Sequence, residues 1–258
     1  DTPEMDITDA EAAKAFISIS GPSWIINCAA YTAVDRAEDE EPLATQVNAR
    51  GVENIVNAIS GTECRLIHIS TDYVFDGNSP IPYTEDDKPS PATAYGRSKL
   101  AGENAALACP RSMVIRTSWL YSSYGKNFVR TILGKAGSSQ NINVVADQTG
   151  SPTYAADLAA AIMEIISGTI QNRHNFVPGI FNYSDEGHCS WFDLATEIVA
   201  AAGSDCRVNA VRSSAYPSRA KRPSFSVLDK TKIKETYNVT VPHWRVSLNR
   251  CISKINRL

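Results

Sequence analysis

The strand-like runs of this chain are apolar without alternation, and helical spacing separates them. Trp24-Ile25-Ile26-Asn27-Cys28-Ala29, Cys64-Arg65-Leu66-Ile67-His68-Ile69-Ser70 and Met113-Val114-Ile115-Arg116 are three such runs. A strand that shows one face to water alternates apolar and polar residues; a strand covered on both faces does not. Thr8-Asp9-Ala10-Glu11 reads as a capping box that opens a helix through about Ile19. Pro42 sits near the start of a long helix in which Val52, Ile55, Val56 and Ile59 keep helical spacing, with Gly61 as its C-terminal cap. Thr93 can cap a third helix over Ala94–Leu107. Strand and helix in strict alternation mean parallel strands joined by right-handed crossovers. The expected fold is α/β, a doubly wound parallel sheet.

After about Trp119 the rhythm changes. Helices near Asn127–Lys135, Ala155–Ile166, Trp191–Ala202 and Trp244–Ile255 are separated by short strands near Ile142–Ala146, Ile180–Tyr183 and Arg207–Val211. The spacing predicts one domain over residues 1–120, to which 142–167 contributes in part, and a smaller α/β lobe mainly over 121–258. A sheet of Rossmann type normally opens with a Gly-rich turn after its first strand, and no G-x-x-G-x-x-G or G-x-G-x-x-G occurs here. If Trp24–Ala29 is the fourth strand in such an order, it leaves a bare apolar edge of the kind that aggregates. The expectation is that N-terminal strands are missing, about forty residues forming a strand–helix–strand unit.

Composition narrows the partners. Of 258 residues, 43% are hydrophobic and the formal net charge is -3, with a pI near 5.9. That mild acidity argues against nucleic acid, which needs a basic patch. The cluster Arg219, Lys221, Arg222 is large enough only for one or two phosphates of a small ligand. No apolar run reaches the length of a membrane span, so a membrane partner is not expected. The six cysteines contain no C-x-x-C pair and read as free thiols in a reducing cytoplasm. His68, His174, His188 and His243 lack metal-ligand spacing, and no metal site is expected. His68 reads as a packed or paired strand residue. The acidic run Glu38–Glu41 precedes a helix and suits its dipole.

Chemistry concentrates at the ends of the strands, where ligands bind in such sheets. Tyr95 and Lys99 are four apart and share a helix face. An ammonium one turn away favours the phenolate and should lower a pKa that is ordinarily about 10. A phenol so tuned exchanges a proton with a carbonyl oxygen during hydride transfer. A solvated helix face would carry the same pair. Thr71 and Asp72 follow the second apolar run, where a hydroxyl can polarise a substrate carbonyl, although Ser/Thr/Asp turns also simply end strands. The small residues after Asn27 allow a flat cofactor to approach the backbone.

Several motifs, in order along nearly the whole chain, resemble the dTDP-4-dehydrorhamnose reductases, a family of extended short-chain dehydrogenases. They are Asn27-Cys28-Ala29-Ala30-Tyr31-Thr32-Ala33-Val34-Asp35, Ser70-Thr71-Asp72-Tyr73-Val74-Phe75-Asp76-Gly77 and Tyr95-Gly96-Arg97-Ser98-Lys99-Leu100-Ala101-Gly102-Glu103. Arg116-Thr117-Ser118-Trp119-Leu120-Tyr121, Asp147-Gln148-Thr149-Gly150-Ser151-Pro152-Thr153 and Arg222-Pro223-Ser224-Phe225-Ser226 continue the series. The resemblance implies NADPH- or NADH-dependent reduction of the C4 keto group of dTDP-4-dehydro-L-rhamnose, a step toward polysaccharide precursors. It implies that Tyr95 is the proton donor, that Lys99 lowers its pKa and holds the nicotinamide ribose, and that Thr71 completes a triad. Thr71, Asp72 and Trp119 would contact the sugar nucleotide, and Arg222 its diphosphate. Ala30, Tyr31 and Thr32 would line the cofactor with Ile69 nearby, and Asp6 and Ile7 would border the adenine. A core aromatic is an equally ordinary reading of Trp119. The choice between the two cofactors and a homodimeric state stay open. So do two rival functions: a non-catalytic regulatory subunit of the kind found with methionine adenosyltransferase, and a related nucleotide-sugar reductase or epimerase.

Overall fold

In the computed structural model, which describes residues 5–216 and 218–257, the apolar runs become strands of one sheet. The longer strands are β1 Trp24–Asn27, β2 Arg65–Thr71, β3 Ser112–Thr117, β4 Asn141–Val145, β5 Gly179–Asn182 and β6 Arg207–Val211. The main helices are α1 Ala10–Ser20, α2 Gly51–Ala58, α3 Ala94–Leu107, α4 Phe128–Ser138, α5 Ala155–Ile170, α6 Trp191–Ala201, α7 Thr231–Tyr237 and α8 Trp244–Ile255.

The central sheet has the order β1-β2-β3-β5, every pair parallel, with Ile26 opposite Ile67, Ile67 opposite Met113 and Met113 opposite Gly179. Side chains leave a strand on alternate faces, so the apolar runs feed two separate cores. Leu66 and Val114 pack with Ile17, Val52 and Ile55 on the α1–α2 side. Ile67, Met113 and Ile115 pack with Leu158, Ile162 and Ile165 of α5 and Ile233 of α7 on the other. Helices on both faces make the sheet doubly wound, as the unalternating runs require. β1 stands at one end of the order, with Ile26 at 41% exposure.

Local chemistry explains where the elements depart from their expected bounds. The cap of α1 is Asp9, not Thr8: the Asp9 carboxylate accepts from the N–H groups of Glu11 and Ala12, while the Thr8 hydroxyl donates to Asp6. β1 stops at Asn27 because its side-chain oxygen accepts from the Ala29 N–H and turns the chain out of the sheet. The long helix near Pro42 is divided. Glu41–Thr45 passes through one wide π turn, Gln46–Arg50, before α2. Such turns gather at functional sites.

A third core lies between α4, α6, α8 and the parallel pair β4–β6. Trp244 and Leu248 of α8 are buried there against Leu194 and Ile198 of α6 and Tyr154. β5 and α5 come from the same half of the chain yet belong to the central sheet and its core. The six cysteines are unpaired, as read from their spacing. No helix among the described residues is long and apolar enough to cross a membrane.

Ile165 is fully buried where α5 meets the sheet. Ile165→Ala should cost about 2–5 kcal/mol through lost transfer energy and a residual cavity. Urea unfolding followed by circular dichroism would measure it; a loss under about 1 kcal/mol would mean that the site collapses around the smaller side chain.

Candidate active site

The site forms where β2 ends beside the first turns of α3. Thr71 is the last residue of β2, and its hydroxyl accepts from the Tyr73 N–H at 3.3 Å, turning the chain into a short 3-10 segment, Asp72–Val74. Thr93 caps α3 by accepting from the Gly96 N–H at 3.0 Å. That cap places Tyr95 in the first turn and Lys99 one turn on. Two glycines let α3 press against its neighbours. A Cβ on Gly96 would lie 2.2 Å from the Tyr73 carbonyl oxygen, and one on Gly102 would lie 2.0 Å from that of Asn48.

Thr71, Tyr95 and Lys99 are all buried and come together at this edge. The Lys99 ammonium donates to the Ile69 carbonyl at 2.7 Å. Burial brings its pKa down to about 8, while Glu103 and Cys28 hold it up. The Tyr95 phenol moves the other way from the sequence-based expectation. It is pushed well above its ordinary value by burial, with Asp72 and Tyr73 adding to the rise and the Thr71 hydroxyl opposing it. The reason is geometric. Tyr95 packs among Ala37, Ala44 and Ala94, against Tyr31 and Tyr73, and the Lys99 ammonium is engaged with a backbone carbonyl.

Asp72 is buried behind Thr71, whose hydroxyl donates to its Oδ1 at 3.0 Å. Burial raises its pKa to about 6, opposed by the neighbouring Ser226 and Thr71 hydroxyls, and its Oδ2 is without a partner. Arg222 reaches the same region from far along the chain. Its guanidinium donates to Asp35 Oδ2 at 2.6 Å and to the Tyr73 hydroxyl at 3.0 Å. Arg222 lines a cleft of about 530 Å³ together with Tyr73, Lys135, Gln148, Trp191 and Lys221. Trp191 lines that cleft together with the aromatic rings of Tyr73, Phe128 and Tyr216. Trp119 stacks on Trp191, with ring centroids 3.5 Å apart and planes within 4°, and its backbone is left-handed, φ 48°.

On the other side of Lys99, at the carboxyl end of β1, a groove of about 790 Å³ is lined by Asp6, Ile7, Asn27, Cys28, Ala29 and Ala30, among others. Tyr31 adjoins it. Its backbone is clamped by Asn48, whose side chain accepts from the Tyr31 N–H at 2.8 Å and donates to its carbonyl at 3.1 Å. Thr32 is exposed, and its carbonyl accepts from the Val34 N–H. The expected cofactor residues therefore share one edge of the sheet, and Ile69 meets them through its carbonyl. Small Ala29 and Ala30 beside a buried ammonium fit the nicotinamide half of a dinucleotide; the sequence holds no Gly-rich turn for its pyrophosphate.

Several residues of the site carry no local signal in the sequence. Asn48 sits in the middle of a helical run and gains its clamp from the π turn. Tyr73, Asp35 and Trp191 reach the cleft only through the fold. The acidic run Glu38–Glu41 serves other partners than its own helix: Glu38 accepts from the Ala94 N–H in the first turn of α3, Glu40 from the Tyr31 hydroxyl, and Glu41 from Arg97. His68 is buried and paired with Asn27 at 3.1 Å, as a strand histidine of this kind should be.

A parallel, doubly wound sheet with a threonine, a tyrosine and a lysine gathered at its carboxyl edge defines a reductase of the extended short-chain dehydrogenase class. The sequence matches the family described as RmlD substrate binding domain over residues 1–257. It is 39% identical over 255 residues to the dTDP-4-dehydrorhamnose reductase of Sinorhizobium fredii, covering 97% of this chain and 86% of that one. The crystal structure of dTDP-4-dehydrorhamnose reductase from Bacillus anthracis in complex with NADP superimposes with a TM-score of 0.93 at 36% identity, over 98% of this chain and 88% of that one. The ortholog from Clostridium acetobutylicum gives 0.91 at 37%, over 97% and 87%. The chain belongs to the dTDP-4-dehydrorhamnose reductase family.

A buried acid with a raised pKa favours the folded state most when it is protonated. For Asp72 that contribution is full below the ordinary value of 3.8 and is lost as pH rises through about 6. Asp72→Asn removes the ionisation and keeps the shape. Its stability relative to wild type should therefore improve by on the order of 2–3 kcal/mol between about pH 4 and pH 7. Guanidinium melts across that range measure the difference; a constant gap would show that Asp72 ionises freely in the fold.

Proposed function

We propose that this protein reduces the C4 keto group of dTDP-4-dehydro-L-rhamnose to dTDP-L-rhamnose, with NADPH as the reductant. The gathering of Thr71, Tyr95 and Lys99 between a groove and a basic cleft carries the reading. The bound nicotinamide supplies hydride to the carbonyl carbon.

The chain's own residues do the rest. Asp72 accepts from the Thr71 hydroxyl and fixes its rotamer at the end of β2. The Tyr95 phenol, and the Thr71 hydroxyl once its hydrogen turns from Asp72, then donate to the keto oxygen, where negative charge develops as the carbon is reduced. Burial keeps the phenol protonated at neutral pH, so a proton is available to the new alkoxide. Lys99, still mostly charged at neutral pH, lies close to Cys28 of the groove, where its ammonium suits the nicotinamide ribose. In the cleft, Lys135, Lys221 and Arg222 supply the positive charge that a nucleoside diphosphate needs, and Trp191 supplies a flat apolar wall. Arg222 would trade part of its contact with Asp35 and Tyr73 for phosphate oxygens. Trp119 supports this wall by stacking behind it. Asp6, Ile7, Ala30, Tyr31 and Thr32 border the space for the rest of the cofactor.

The test is to offer dTDP-4-dehydrorhamnose to the full-length protein and follow the loss of NADPH absorbance. Tyr95→Phe should lower kcat roughly 10²–10⁴-fold, the usual worth of a positioned acid. Wild-type protein that binds NADPH without turnover would instead identify a binding protein of the same fold.

A further inference from the structure

Beneath the site lies a buried ion pair that no step above uses. Arg116 of β3 donates from Nε to Glu103 Oε1 at 2.9 Å and from Nη2 to Oε2 at 2.7 Å. Both side chains are 1% exposed. The Ser70 hydroxyl donates to the same Oε1 at 2.6 Å. The free face of the guanidinium lies over the Phe75 ring, 4.9 Å from its centroid, and Nη1 has no acceptor. Replacing such a pair by apolar residues is often neutral or stabilising, so stability alone is a weak reason for it.

Its position supplies another. Tyr95, Lys99 and Glu103 follow one another at four-residue steps along α3, and Ile69, Ser70 and Thr71 are consecutive at the end of β2. Each strand residue meets one helix residue. Lys99 holds the Ile69 carbonyl, Glu103 holds the Ser70 hydroxyl, and the Thr71 hydroxyl acts on the Tyr95 phenol, opposing the rise of its pKa. Arg116 lies opposite Ser70 in the sheet, so it fixes the carboxylate from the neighbouring strand.

We propose that Glu103, anchored by Arg116 and read by Ser70, is a positioning residue that sets the spacing between the strand end bearing Thr71 and the helix bearing Tyr95 and Lys99. It rests on the reductase reading above. The carboxylate has a second effect. The groups acting on Lys99 are Cys28 after β1, His68 and the Ile69 carbonyl on β2, and Glu103 on its own helix. His68 is held neutral by burial. Glu103 is then the foremost of the groups that keep Lys99 charged in spite of its burial.

Two variants of the full-length protein test this by NADPH oxidation. Ser70→Ala deletes one tie by a single atom and leaves the ion pair intact. It should lower kcat roughly tenfold with little change in either KM, because misplacement of reacting groups acts on the chemical step. Glu103→Gln removes the charge, so Lys99 should lose its proton sooner and the alkaline limb of the kcat profile should move roughly 1 pH unit toward acid. A purely structural role would lower the melting temperature and leave both readouts where they are. A Ser70→Ala kcat equal to wild type overturns the proposal, as does an unmoved alkaline limb in folded Glu103→Gln. If Glu103→Gln does not fold, Ser70→Ala decides alone. Wild-type protein without turnover would defeat the reductase reading itself, a distinct result.

Discussion

The contact between α3 and the end of β2 is the constraint on which the rest of the site depends. Helices and sheets ordinarily pack through side chains, at a distance too great for one residue to bond across the gap at every step. Here two glycines remove Cβ atoms of α3 where it meets the Tyr73 carbonyl just past β2 and the Asn48 carbonyl of the π turn, so backbone meets backbone on two sides of the helix. A lysine can then reach a strand carbonyl and a glutamate a strand hydroxyl. The cap at Thr93, the Glu38 carboxylate on the Ala94 N–H and the Arg97–Glu41 pair all hold the same helix. Each is a modest interaction. Together they leave α3 one position relative to the sheet.

Close packing has an electrostatic consequence. Removing water disfavours every charged form, so the lysine falls toward neutrality while the tyrosine and Asp72 rise. The tyrosine stays a proton carrier rather than becoming a phenolate. The simple rule that a nearby ammonium lowers a phenol's pKa assumes that the ammonium faces it. In this fold the ammonium faces Ile69, and desolvation wins.

Much of the architecture was legible along the chain because period and burial are local properties. Unalternating apolar runs became β2 and β3 with helices on both faces, and Thr93 capped α3 at the expected residue. Boundaries were less legible where a side chain had two possible partners. Thr8 gave its cap to Asp9 because Asp6 captured its hydroxyl. The acidic run before Pro42 does place Glu41 in the first turn of its helix, but its further partners, Tyr31, Ala94 and Arg97, lie on other elements and could not be read locally. Trp119 stands out through its motif; Trp191, which lines the cleft and stacks directly on it, lies seventy-odd residues away and carries no such signal.

By itself, then, the sequence determined the fold class and the pairing of Tyr95 with Lys99. Strand and helix periods depend on near neighbours, and an i to i+4 spacing fixes a shared helix face wherever that helix lies. Tertiary structure decided what that pair experiences. Only the packed molecule brings Thr71 and Asp72 beneath the phenol, turns the Lys99 ammonium onto a carbonyl, and seats Glu103 between Ser70 and Arg116. Those outcomes depend on distances between segments far apart in the chain and on the loss of water around them, and neither is encoded in any single stretch of residues.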